Sequence, residues 1–172
     1  MGENAKNSIP GKQIAAAIGQ YAKLEVGQAA PDFTARKLNG DTFSLYDVPA
    51  KIKLLVFWAS WDTASRQLNP ALIAIYQQFR PKGLDIVSVS LDDNRGDWEQ
   101  AVSIDGLFWT NGSDLKGRNS DLAKLYMVTS VPYTILIDNE NKIVAKGLLG
   151  NELRKAISDL AKQNRKNKDM RD

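Results

Sequence analysis

Apolar positions along this chain change their period at one place, and the rest of the sequence is arranged around it. Ile52 to Trp58 reads as one strand segment, with the length and the β-branched and aromatic content of a strand buried on both faces. Beyond Trp61, Leu68, Leu72, Ile75, Tyr76 and Phe79 recur at helical spacing, which predicts a helix beginning near Asp62. A buried strand therefore runs straight into a helix N-terminus. Free backbone N–H groups and the positive end of the helix dipole favour an anion or a polarised nucleophile there.

The flanking pattern supplies the other elements. Residues 1 to 10 form a polar lead-in, and Ile14, Ile18, Tyr21 and Ala22 predict an amphipathic helix over about 12 to 23 after Pro10-Gly11. That helix either packs on the flank of the domain or connects it to an upstream one. Phe33 to Lys37 and Thr42 to Leu45 flank Asn39-Gly40, a dipeptide suited to the positive φ angles of a tight hairpin turn. Leu84 to Leu91 is a second β-rich run, closed by Asp92-Asp93-Asn94. Trp98, Ala101 and Val102 predict a short helix, and Leu107-Phe108-Trp109 a short strand. Asn119 or Ser120 can cap a helix bearing Leu122, Leu125 and Tyr126. Strands Thr134 to Asp138 and Lys142 to Lys146 follow, joined at Asn139-Glu140-Asn141, and a last helix carries Leu153, Ile157, Leu160 and Ala161.

The end of the chain, Lys162 to Asp172, holds five cations against two acids and reads as a frayed tail. The expected organisation is a lead-in and helix over 1–24, one α/β domain over 25–162 and a charged tail over 163–172. Helices and strands alternate imperfectly, which fits a mixed sheet with helices on both faces.

Composition narrows the chemistry. A chain of 172 residues, 43% apolar and 25% charged, suits one domain with a sizeable core. The formal charge of +3 is too slight and too scattered to argue for nucleic acid. With no cysteine, disulfides, thiolate metal sites and dithiol reactions within the chain are excluded; with no histidine, so are imidazole ligands and the commonest general base. No segment is long and apolar enough for a membrane span, and Met1-Gly2-Glu3-Asn4-Ala5-Lys6 lacks the apolar core of a signal peptide. Neither a cofactor nor a metal is implied.

Trp58-Ala59-Ser60-Trp61, followed by Ser65-Arg66 and Pro70, resembles the active-site segment of the TlpA/ResA-type thioredoxin-like proteins, the redoxin branch related to AhpC/TSA peroxiredoxins. Ala30-Pro31-Asp32-Phe33-Thr34, Leu38 to Leu45, Val87 to Asp92 and Val131 to Asp138 match further parts in the family's order, so the resemblance spans Val26 to Leu160. It implies a thioredoxin-like fold with an N-terminal β-hairpin extension, a cis-proline segment at Val131-Pro132, thiol–disulfide exchange as the family activity, and a bacterial cell-envelope setting.

In that family the four residues after the second tryptophan read Cys-x-x-Cys; here they are Asp62-Thr63-Ala64-Ser65. Asp62 accepts the stabilisation a helix start gives a thiolate, but its carboxylate cannot form a mixed disulfide. Ser65 would need a base to become a nucleophile. A family Glu three residues further on is replaced by Leu68. The expectation is a noncatalytic domain, with Asp62 and Ser65 as degenerate motif positions and no catalytic residue. Its groove, formed by Trp61, Asp62, Thr63, Ser65, Val131 and Pro132, would hold an extended peptide or protein segment by β-augmentation. Two rival readings stand beside it: a member of a thiol–disulfide or peroxide-handling system whose cysteines come from a partner or another domain, and a purely structural domain. Trp58 is assigned to the core in every reading.

Three smaller features have ordinary explanations. Arg95-Gly96-Asp97 matches a cell-adhesion tripeptide by coincidence at a loop-to-helix junction, and Asn111-Gly112-Ser113 satisfies a glycosylation sequon but reads as a turn. Asp92-Asp93-Asn94 with Asp97 lacks the spacing of a calcium loop and reads as solvated loop acids.

Overall fold

The computed structural model describes residues 19–172. Its strands are β1 (Thr34–Arg36), β2 (Thr42–Ser44), β3 (Ile52–Trp58), β4 (Leu84–Ser90), β5 (Thr110–Ser113), β6 (Tyr133–Ile137) and β7 (Ile143–Lys146). They form one mixed sheet in the order β2-β1-β5-β4-β3-β6-β7. The helices are α1 (Thr63–Phe79), α2 (Arg95–Asp105), α3 (Asp121–Leu125) and α4 (Gly150–Asp169). β3 lies parallel to β4 and antiparallel to β6, so the apolar run sits at the centre of the sheet.

Alternation along β3 divides the core into two layers. Ile52, Leu54, Val56 and Trp58 pack with Leu72, Ile75 and Phe79 of α1, Trp98 of α2 and Ile157 of α4. Leu55 and Phe57 pack on the opposite face with Val87, Leu122, Tyr126 and Ile135. Each such apolar side chain, fully withdrawn from water, contributes roughly 1.5–3 kcal/mol.

Lys53 breaks the apolar character of this strand, yet it is only 3% exposed. Its Nζ donates to the Leu45 carbonyl at 3.0 Å and to Asn141 Oδ1 at 2.9 Å. Burial pushes its pKa below the usual lysine value, against the opposing pull of Asp32 and Asp47. The ammonium ties the segment after β2 to the β6–β7 turn, which explains why a cation is tolerated in a central strand.

Four expectations change in detail. The hairpin joins β1 to β2 through residues 37–41, one position more than the expected strand ends leave, and of Asn39-Gly40 only Gly40 has positive φ, at 92°. The short strand is β5, displaced from Leu107-Phe108-Trp109 onto Asn111-Gly112-Ser113, the stretch that reads as a turn. Local propensity is overruled there by packing: an added Cβ on Gly112 would lie 2.6 Å from the Phe43 ring, so the strand can pass beneath Phe43 only with glycine. Asn111 is buried, donating Nδ2 to the carbonyls of Leu107 and Trp109, so the sequon is folded into the sheet.

Lys162 to Asp169 continue α4 instead of fraying. Of the helix expected over about 12 to 23, residues 19–23 are helical and Gln20 Nε2 donates to the Lys124 carbonyl at 2.8 Å, which sets them against the flank of the domain; the remainder lies outside the described residues.

Gly112→Ala is expected to destabilise the protein by about 1–3 kcal/mol through overpacking, and by less in a Phe43→Ala background, as measured by a denaturant double-mutant cycle.

Candidate functional site

The chain leaves β3 through Ala59-Ser60-Trp61 and enters α1 at Thr63, with Asp62 as N-cap in an extended conformation. Asp62 Oδ2 accepts from the Ser65 backbone N–H at 2.8 Å and from Ser65 Oγ at 2.7 Å. The helix start that could receive an anion is thus engaged by the protein's own carboxylate. Ser65 is 1% exposed, its hydroxyl turned toward Asp62 rather than toward solvent. A carboxylate holding a buried hydroxyl proton is a capping arrangement: no imidazole is present to pass that proton on, and neither group carries sulfur.

Two further polar groups brace this junction, and sequence reasoning missed both. Arg66 meets Asp105, at the end of α2, with Nε at 2.6 Å and a second guanidinium nitrogen at 2.8 Å. Asn69 Nδ2 donates to the same carboxylate at 2.8 Å, and Arg66 also donates to the Ser60 carbonyl at 3.2 Å. Burial raises the Asp105 carboxyl, but the hydrogen bonds from Arg66 and Asn69 and the Arg66 charge together outweigh it and hold its pKa below the usual value. Arg66 belongs to the recognisable motif; its partner lies 39 positions away with no pattern to mark it.

Asp92 is the second brace. It is 2% exposed, and so is not the solvated loop acid its neighbourhood suggests. Its carboxylate accepts from the Ser60 backbone N–H at 3.2 Å and from the hydroxyls of Ser60 and Ser90. Asp92 therefore pins the turn that precedes Trp61 to the end of β4. Asn94 caps α2 by accepting from the Asp97 N–H at 2.9 Å, and Arg95 bonds the Leu38 carbonyl and Glu99, so Arg95-Gly96-Asp97 forms the first turn of a helix. Among the described residues no group of three acidic, histidine or cysteine side chains could hold a metal ion.

Beside the motif a cleft of about 430 Å³ opens between Trp61, Leu91, Arg118 and residues 128–131. Trp61 is 63% exposed on its rim, while Trp58 is 1% exposed in the core. The Val131–Pro132 peptide bond is cis. Of the six residues expected to form a groove, Trp61 and Val131 line this cleft together; Asp62, Thr63, Ser65 and Pro132 do not line it. Thr63 is exposed at the first helical position, Asp62 and Pro132 are half-buried, and Leu68 packs against the helix-face core.

Three central parallel strands, flanking antiparallel strands and a helix opening at the end of β3 define a thioredoxin-like α/β protein. The AhpC/TSA family profile matches residues 26–146, and the chain belongs to that family, on its TlpA/ResA-type redoxin branch. It is 33% identical over 130 residues to the thioredoxin-like protein YneN of Bacillus subtilis, covering 72% of this chain and 74% of that protein. Against the thiol-disulfide oxidoreductase ResA of Bacillus thuringiensis subsp. konkukian the identity is 25% over 141 residues, covering 82% of this chain and 79% of the relative. The solved thioredoxin domain of a thiol-disulfide oxidoreductase from Bacteroides vulgatus superposes with a TM-score of 0.74 at 33% identity, covering 80% of this chain and 98% of that one.

Asp62→Ala is expected to lower stability by about 1–2 kcal/mol, through loss of the cap and an unpartnered buried hydroxyl at Ser65, with Asp62→Asn milder in thermal melts. Asp105 has a pKa below its ordinary 3.8 in the folded state, so it binds fewer protons there than when unfolded. Its contribution is complete above about pH 4 and declines as pH falls through the folded value. The stability gap between the parent protein and Asp105→Asn, about 1–3 kcal/mol at neutral pH, should therefore narrow in denaturant titrations below about pH 4.

Proposed function

We propose that this domain does not carry out dithiol exchange and acts as a binding module, holding an extended peptide or protein segment in the cleft beside Trp61. The observation that carries this reading is the juxtaposition of a largely exposed tryptophan with available backbone. Thr129 and Ser130 are exposed, and the backbone of residues 129–131 makes no turn, cap or side-chain hydrogen bond among the described residues. An incoming strand could pair with those peptide groups while Trp61 supplies apolar area, the combination by which β-augmentation gains affinity and register.

The motif supports the negative half of the proposal. Exchange requires a thiolate to attack and a second thiol to resolve the mixed disulfide. The two positions hold an acid and an alcohol bonded to each other. The same reading sets the domain in the bacterial cell envelope, as the resemblance to TlpA/ResA-type proteins implies.

Insulin reduction with dithiothreitol should show no acceleration by the parent protein, and turnover by it would overturn the noncatalytic reading. Asp62→Cys with Ser65→Cys should form a disulfide and gain reductase activity, because the helix start that favours a thiolate is in place. Titration with reduced, alkylated insulin B chain should quench Trp61 fluorescence and bind about tenfold or more weakly to Trp61→Ala. Equal affinity of the two proteins would remove the cleft from the proposal.

A further inference from the structure

At the opposite end of β3 lies a second cleft, of about 510 Å³, between the entries to β3 and β4 and the last turns of α4. Lys51 stands immediately before β3, and Arg80 and Lys82 belong to the 3-10 turn Arg80–Lys82 that precedes β4. Lys162, Arg165 and Lys168 face them from α4, three residues apart along one side of the helix. The helical continuation of α4 creates this arrangement; a frayed tail would scatter the same charges.

Among the described residues no acidic side chain lines the cleft, and none of its six cations is ion-paired with a carboxylate. Gathering like charges in a concavity without counter-charge costs free energy that a bound anion recovers. Asn164, also in the wall, has its Nδ2 buried without a hydrogen-bond partner among the described residues. A buried amide donor lacking an acceptor carries a desolvation cost that an oxygen-bearing ligand would relieve. Pro81, Ala161 and the lysine stems add apolar surface, and Lys82 lies 5.4 Å over the Phe79 ring.

We infer that this cleft is a binding site for a small soluble polyanion bearing two or more phosphate groups. Three cations on each wall can clamp separate phosphates, with the Asn164 amide as a neutral donor between them. Concavity favours a compact ligand over a flat lipid surface, which would meet only the rim. This site is independent of the cleft beside Trp61 and stands whether or not that one binds peptide.

The test is calorimetric titration of the full chain with inorganic tripolyphosphate. Binding should weaken as salt is raised, and the double variant Lys82→Ala, Arg165→Ala should bind about tenfold or more weakly for each charge-assisted hydrogen bond it removes. Lys155→Ala, which removes a cation from α4 outside the cleft, should bind as the parent does, and Asn164→Leu should weaken binding without changing its salt dependence. All the substituted cations are exposed, so circular dichroism should show each cation variant folded. Absence of tripolyphosphate binding near physiological salt, or an equal weakening in Lys155→Ala, would overturn the proposal. So would binding to phosphatidylglycerol vesicles that tripolyphosphate fails to displace.

Discussion

Burial of β3 on both faces governs this structure, because it fixes where the chain must turn into α1 and hence where the site lies. Trp58 closes the helix-face core, and Leu55 and Phe57 close the other. Neither layer can shift the strand without opening the other, since close-packed interiors answer misfit with voids rather than by flowing. The turn after Trp58 is held by polar groups instead. Asp92 grips Ser60 from the end of β4, and Arg66 ties α1 back to both the Ser60 carbonyl and Asp105. Apolar packing sets the strand's height in the fold, and these hydrogen bonds set the direction from which α1 departs.

That division bears on the exchange of cysteines for Asp62 and Ser65. A helix N-terminus offers unsatisfied N–H groups to whatever anion sits there, whether thiolate or carboxylate. Asp62 meets the structural demand by accepting from Ser65 and so retains a capped helix. The chemical demand is different in kind: a mixed disulfide needs sulfur, and no carboxylate geometry provides it. The fold is therefore indifferent to the replacement of both motif cysteines, which explains how the AhpC/TSA match extends over residues 26–146 while the motif departs from the pattern.

What can be read from the sequence follows the range of the forces involved. The β3-to-α1 transition, the Ser120 cap and the burial of Trp58 are legible because periodicity and capping act over a few residues. β5 falls outside its expected segment because its glycine is required by Phe43, from a strand nearly seventy positions earlier, and nothing local distinguishes Asn111-Gly112-Ser113 from a turn. Asp92 reads as solvated because its neighbours are, although Ser60 and Ser90 enclose it. Asp105 carries no signal: an acid at a helix end becomes informative only when Arg66 and Asn69 are seen to converge on it. Of the expected groove residues, Trp61 and Val131 meet in one cleft, whereas Asp62 and Ser65 are consumed by capping, a choice between equally polar roles that spacing cannot resolve.

The polarity of the central strands sets the two clefts at opposite ends of the sheet. Ligands of open α/β sheets are met at the carboxyl ends of the strands, where loops are long and helix N-termini converge. The cleft beside Trp61 occupies that end of β3, with an exposed ring and a backbone at residues 129–131 that is unpaired among the described residues. The basic cleft occupies the amino end, where Gly83 hydrogen-bonds Lys51 and Ile52 through its carbonyl and leaves no room for a side chain, since an added Cβ would lie 2.9 Å from Lys51. Backbones that close bring Lys51 and Lys82 together without any need of a ligand. The charge of that cleft is thus built by the strand entries themselves and completed by a helix whose last turns have no apolar reason to extend so far.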